Sequence, residues 1–202
     1  MWFAGPLHIP RENLQNLRIL EVSLHSASSI ILGQHITHLK INSNAYNMNN
    51  ATHWSNLLNM DPEALRNVVV FAADFIKFDV LVKLVARMPN LELLQSAVSP
   101  ASRVQWLSKL AALPAPKLRH LRFDAPWLPY GGDPSRYHDG VRSAFDAMPG
   151  LPCISVSTGL NPTFPHPPIE YDFFFRAIPA VRFRYRHRHP SPSPWWEDWE
   201  AD

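Results

Sequence analysis

Cys153 is the only cysteine in this chain of 202 residues, and His120 holds the same place in one short apolar frame that Cys153 holds in the next. If the two frames are neighbouring parallel strands, a thiol and an imidazole lie side by side. That is the smallest set of groups for nucleophilic catalysis, with the imidazole drawing the proton from sulfur. The sequence offers no residue to orient the imidazole and no oxyanion donors, so a small cysteine-dependent hydrolase is the alternative reading and a non-enzyme the leading one. A second constellation lies near the C-terminus, where Arg182, Arg184 and Arg186 alternate, followed by Arg188. On a strand they would share one face as a basic edge able to hold phosphate or an acidic protein segment. The same charges also suit a solvated edge strand guarded against aggregation. A third option is a cover made by the tail, whose Glu197, Asp198, Glu200 and Asp202 stand among Trp195, Trp196 and Trp199. His187 and His189 offer two ligands with no third, so no metal and no cofactor is expected. The HExxH, GxSxG and GxxxxGK[ST] patterns do not occur.

The elements that must position these groups are written in a frame of three apolar positions. It reads Leu17-x-x-Leu20-x-Val22, Ile36-x-x-Leu39-x-Ile41, Leu65-x-x-Val68-x-Val70, Leu91-x-x-Leu94-x-Ser96, Leu118-x-x-Leu121-x-Phe123, Leu151-x-x-Ile154-x-Val156 and Ile178-x-x-Val181-x-Phe183. The middle residues step by 19, 29, 26, 27, 33 and 27. A step near 27 repeated this often marks stacked repeats. Alternation within each frame predicts a short strand. Helical periodicity falls between frames, over Thr52 to Met60, Phe78 to Met88, Ala101 to Leu113, Pro134 to Met148 and Glu170 to Ile178. Prolines follow most of these stretches, as in Met88-Pro89 and Met148-Pro149, and act as helix stops. Strand, helix, proline, strand at this spacing predicts parallel strands with helical crossovers.

Bulk properties set the outer bounds. Apolar residues make up 46% and charged residues 18%, enough for a buried core. A net charge of +2 gives no whole-chain argument for nucleic acid or an anionic membrane, and neither is an expected partner. No apolar run approaches the length of a membrane span, and the opening MWFAGPLHIPREN lacks a basic n-region. With one cysteine and no leader, the expected setting is intracellular, cytoplasmic or nuclear.

The frame Ile36-Thr37-His38-Leu39-Lys40-Ile41-Asn42-Ser43-Asn44 resembles a leucine-rich repeat, L-x-x-L-x-L-x-x-N. Strings such as Leu118-Arg119-His120-Leu121-Arg122-Phe123 and Met88-Pro89-Asn90-Leu91-Glu92-Leu93-Leu94 are similar to the recognition half of fungal F-box proteins. The resemblance spans residues 14 to 185, and the terminal Asn is replaced elsewhere by Ala73, Ser99, Pro126 and Gly159. It implies an α/β fold: an irregular leucine-rich-repeat solenoid of about seven parallel strands with helices on the outer face. A lead-in (1–13), a repeat array (14–189) and a Pro/Ser linker with an acidic, Trp-rich tail (190–202) follow from this division.

The resemblance further implies a noncatalytic module that binds a protein partner on its concave strand face. Alternate strand positions put His38, Lys40, Asn67, Val69, Phe71, Leu93, Gln95, His120, Arg122 and Asp124 there, with Val69, Phe71 and Leu93 as an apolar centre. Substrate recognition for a ubiquitin ligase would need an F-box upstream, for which the dozen or so residues before the first frame leave no room. A stand-alone repeat protein and a truncated gene fragment are the remaining expectations.

Overall fold

The computed structural model describes residues 17–43, 50–97, 106–107, 109–124, 135–159, 170–176 and 178–186. Strands β1 (Ile19–Ser23), β2 (His38–Asn42), β3 (Val70–Asp74), β4 (Leu93–Ala97), β5 (His120–Asp124) and β6 (Cys153–Gly159) are parallel and lie side by side in chain order. Helices α1 (Leu24–Ile31), α2 (Asn50–Leu58), α3 (Phe78–Val85) and α4 (Ser135–Ala147) occupy the connections, together with short 3-10 turns at Pro62–Leu65 and Leu110–Ala112. The sheet ends in β7 (Glu170–Phe175) and β8 (Ile178–Arg186), each antiparallel to its predecessor. The molecule is therefore an α/β fold on an open sheet with six parallel strands.

One local device starts β3, β4, β5 and β6. The first apolar residue of a frame donates its backbone N–H to the carbonyl three residues earlier: Val68 to Leu65, Leu91 to Met88, Leu118 to Ala115 and Leu151 to Met148, at 2.9–3.2 Å. Pro89, Pro116 and Pro149 stand at the second position of three of these turns, where proline disfavours helix at the residue before it and leads the chain into the sheet. One residue before each of β2, β3, β4 and β5, the backbone ladder has already begun. Thr37, Val69, Glu92 and Arg119 donate in turn to the carbonyls of Arg18, Thr37, Val69 and Glu92, each at 2.8 Å.

This device corrects the third frame. Leu65 closes the 3-10 turn, and the strand frame is Val68-x-x-Phe71-x-Ala73. Apolar residues stand three apart at Leu65, Val68 and Phe71, so the pattern fits twice, and only the turn tells the two fits apart. Phe71 therefore pairs with Leu39 and Leu94 in the layer beneath the helices. That layer is one row of Leu20, Leu39, Phe71, Leu94, Leu121 and Ile154, and a second of Val22, Ile41, Ala73, Ser96, Phe123 and Val156. With Leu81, Leu84, Val85, Leu107, Val141 and Phe145 from the helical side it makes one continuous core. All the described helices thus cover one face of the sheet. Trp106 packs edge-on against Phe78 and Phe123, with ring centroids 5.4 and 6.0 Å away.

Two further expectations fail. Glu170 to Ile178 is not a helix, because its aromatic run pairs as β7 with β6, and aromatic side chains suit a pleated surface better than a helix. Nor is the seventh frame a seventh parallel neighbour. It runs in the direction of β6, but with β7 inserted between them. Pro179 sits inside β8, a place the edge of a sheet tolerates. Helix α1 is not among the predicted helices, since its Ser-rich sequence has no capping hydrogen bond to announce it. Arg176, just past β7, fastens this end to the core. Its guanidinium donates to the carbonyls of Phe145, Met148 and Leu151 beyond and within the last turn of α4, and lies 5.1 Å over the Phe145 ring. No described helix is long and apolar enough to cross a membrane.

Candidate functional site

The face of the sheet away from the helices carries two rows. The first runs Ile19, His38, Val70, Leu93, His120, Cys153, and the second Glu21, Lys40, Ala72, Gln95, Arg122, Ser155. Parallel pairing in chain order puts equivalent positions of successive frames next to one another, so one residue type per strand is enough to compose a continuous surface.

Of the expected concave-face residues, His38, Lys40, Leu93, Gln95, His120 and Arg122 stand on this front face. Asp124 belongs to β5 at a front-face position, and its side chain lies outside the described residues. Three assignments are corrected by the shift in the third frame. Phe71 is fully buried in the core, Val69 serves as a backbone rung ahead of β3, and Asn67 lies in the turn before it, exposed and within 3.2 Å of the His35 ring. Val70 and Ala72 take their places. The signal that would have found them is the turn that Leu65 closes, which moves the start of the frame to Val68.

The apolar centre is thus Val70 beside Leu93, and it is already sealed, at 8% and 7% exposure. Half-buried polar residues stand around it. Lys40 meets Glu21 at 2.9 Å, and Asn42 donates to the same carboxylate at 2.8 Å. Burial alone would raise the Glu21 pKa, but hydrogen bonds from Asn42 and Lys40, with the Lys40 charge, outweigh it and hold the carboxyl below its ordinary value.

Cys153 and His120 are indeed register partners on β6 and β5. Burial disfavours the charged form of each. Burial pushes the thiol pKa up to about 12, so sulfur stays protonated near neutral pH. The imidazole is driven down to about 4 by burial and then by the Arg122 charge, so it is neutral there. His120 Nε2 lies 2.9 Å from Ser155 Oγ, a bond between two polar groups on a closely packed surface. Ser155 is 1% exposed, which keeps its hydroxyl from a substrate in solution. Among the described residues no cluster of three or more His, Cys, Asp or Glu is placed to hold a metal.

The basic edge is also repositioned. Cys153 and Ser155 of the front face pair with Phe175 and Phe173, whereas Ile154 and Val156 of the core face pair with Phe174 and Asp172. Phe174 and Asp172 in turn pair with Arg182 and Arg184. Residues opposite one another in a sheet share a face, so Arg182 and Arg184 take core-face positions, with Arg186 opposite Glu170. The insertion of β7 changes the parity that a seventh parallel strand would have had. His187, Arg188, His189 and the tail lie outside the described residues. Comparison with protein-family models, with curated proteins and with solved structures found no match for this chain.

Proposed function

We propose that this chain is a noncatalytic protein-interaction module, an irregular leucine-rich-repeat solenoid that holds a protein partner along its front face. One observation carries the reading: two rows of side chains, each continuous over six parallel strands, on the face the described helices leave uncovered. A surface assembled one residue per repeat suits an extended protein segment lying across the strands. Its half-buried polar groups are His38, Lys40, Gln95, His120 and Arg122 around the sealed Val70–Leu93 pair. Such a rim selects by hydrogen bonds and charge, with the packed pair beneath keeping it in place. The protonated thiol and neutral imidazole support a binding role over nucleophilic chemistry.

The test is affinity capture followed by reconstitution. A partner retained by the wild-type chain is identified, purified and titrated against the wild type and against His38→Glu/Arg122→Glu. The reading expects at least a ten-fold weaker Kd for the variant with an unchanged circular dichroism spectrum. Equal affinity of the two proteins would sink the front-face assignment. Turnover of ester or peptide substrates that is lost on Cys153→Ser would sink the noncatalytic reading.

A further inference from the structure

At the end of the sheet where the strands begin, polar side chains join one strand entry to the next. Arg18 Nη1 donates to the His35 carbonyl at 3.4 Å, and the His35 ring lies 3.2 Å from Asn67 Nδ2. Asn90 Nδ2 donates to the Arg66 carbonyl at 3.1 Å, and Lys117 Nζ donates to Asn90 Oδ1 at 2.7 Å. This edge carries cations at alternate strands: Arg18 before β1, Arg66 before β3, and Lys117 and Arg119 before β5. With strands about 4.8 Å apart, these entries are about 10 Å from one another. Glu63 meets Arg66 at 2.9 Å and Glu92 stands 3.9 Å from Arg119, with the two arginine side chains 63% and 76% exposed. Ion pairs this exposed hold weakly and yield to a competing carboxylate. Asp61, which caps the 3-10 turn, and Arg87, which donates to the Met60 carbonyl, offset one another nearby, so the edge keeps a basic excess.

At its β5 end the edge meets an apolar notch of about 340 Å³ between the turns that lead into β5 and β6. Leu113, Pro116, Leu118, Met148, Pro149 and Leu151 line it. This is room for a large apolar side chain, at the small end of the range for binding clefts. Lys117 stands between two of the lining residues, Pro116 and Leu118. On the opposite flank the last turn of α4 sets the exposed carboxylate of Asp146. Charge across the notch therefore runs in one direction, from acidic at α4 to basic along the strand entries.

We infer that this edge is a second docking surface, taken by an extended acidic segment of a partner protein. The segment seats one large apolar side chain in the notch and carries its carboxylates away from α4, over Lys117 and Arg119 toward Arg66 and Arg18. An extended chain advances about 3.3 Å per residue, so acidic residues three apart match the spacing of the cations. Anchor and charge each need the other, since exposed ion pairs contribute little singly and a single seated side chain does not select a sequence. No front-face residue takes part, so this surface stands or falls separately from the proposed function.

The test is titration of the full chain with a dye-labelled synthetic peptide. The peptide has one leucine followed by aspartate at every third position, with glycine and serine between. It should shift the amide resonances of residues 113–119 and 147–151. Replacing its leucine by glycine, or its aspartates by asparagine, should weaken the Kd about ten-fold. Lys117→Glu/Arg119→Glu should weaken it by a similar factor, with an unchanged circular dichroism spectrum. A first side-chain carbon added at Gly150 would meet only the Pro116 carbonyl, at 3.9 Å, so Gly150→Leu obstructs the notch without disturbing the fold and should weaken binding as well. Equal affinity for the leucine-free peptide, or full affinity in Gly150→Leu, would mean a general attraction of anions and overturns the proposal. So does an amide map confined to the front face, or no binding at about 1 mM peptide.

Discussion

The two faces of the parallel sheet share one backbone and differ in every other respect. On the helix-covered face, the row Leu39, Phe71, Leu94, Leu121, Ile154 is fully buried, with no polar side chain. On the opposite face, one residue along each strand, the row His38, Val70, Leu93, His120, Cys153 mixes sealed with half-buried and apolar with polar residues. Period-two geometry sends neighbours in sequence to opposite environments. A row that must only pack is apolar at every step, and a row free to do something else is mixed. The contrast also explains why a frame error of one parity is costly, since it exchanges core for surface at every position of the strand.

The sharpest way to break this comparison is to truncate one residue from each face. Phe71→Ala leaves a void in the core and should cost about 3–5 kcal/mol, whereas Leu93→Ala, at the rim of the packed layer, should cost about 2 kcal/mol. Urea unfolding with a common m-value measures both. Equal losses would mean that the front face is as much a core as the back. Phe71→Asp would report on folding and not on partner binding.

A smaller effect is expected from His120, a front-row group whose charged form the fold disfavours in the acid range. Its pKa is about 4 in the fold against an ordinary 6.5, so between these values the unfolded chain binds more protons. Stability conferred by the neutral ring is complete above about pH 6.5 and is lost as pH falls toward 4, with an upper limit of roughly 3 kcal/mol. Unfolding curves across that window should flatten in His120→Gln. An equal slope in wild type and variant would place the titration elsewhere. The back face offers the counterpart in Ser96, its one fully buried polar side chain among the described residues, whose hydroxyl donates to the Ala73 carbonyl at 2.9 Å. Ser96→Ala should cost about 1 kcal/mol with no dependence on pH. A gain in stability on making this substitution would show that the core prefers uniform apolarity there.

Much of this contrast is legible in the sequence wherever a single apolar frame fits. The rows at Leu39, Leu94, Leu121 and Ile154 follow from the spacing alone, as does the pairing of His120 with Cys153. The errors have specific causes. At β3 the frame fits twice, and a backbone turn at Leu65, invisible to hydrophobic pattern, decides between them. At β7 a run of three Phe satisfies helical and strand periods alike, and pairing with β6 decides. The inserted antiparallel strand then moves Arg182 and Arg184 to the other face, since parity is a property of the whole sheet and not of the local sequence. The environment of His120 lies further from view. Its contact with Ser155 joins residues 35 apart in sequence.

The weakest link tests the comparison most finely, because it asks whether the front face contributes to the fold at all. Glu21 and Lys40 meet at 2.9 Å across β1 and β2, with 44% and 25% of their side chains exposed. Water and salt screen such a pair, so a double-mutant cycle with Glu21→Gln and Lys40→Met should return a coupling of about 0.5 kcal/mol, shrinking in high salt. Because the folded carboxyl is held below its ordinary 4.5, this contribution is present above that value and is lost as pH falls through the lowered one. That direction matches His120 but lies at lower pH, which separates the two titrations in one acid series. A coupling above 2 kcal/mol that resists salt would show Glu21, Lys40 and Asn42 to be a structural network, and the place of Lys40 on a binding surface would fall with it.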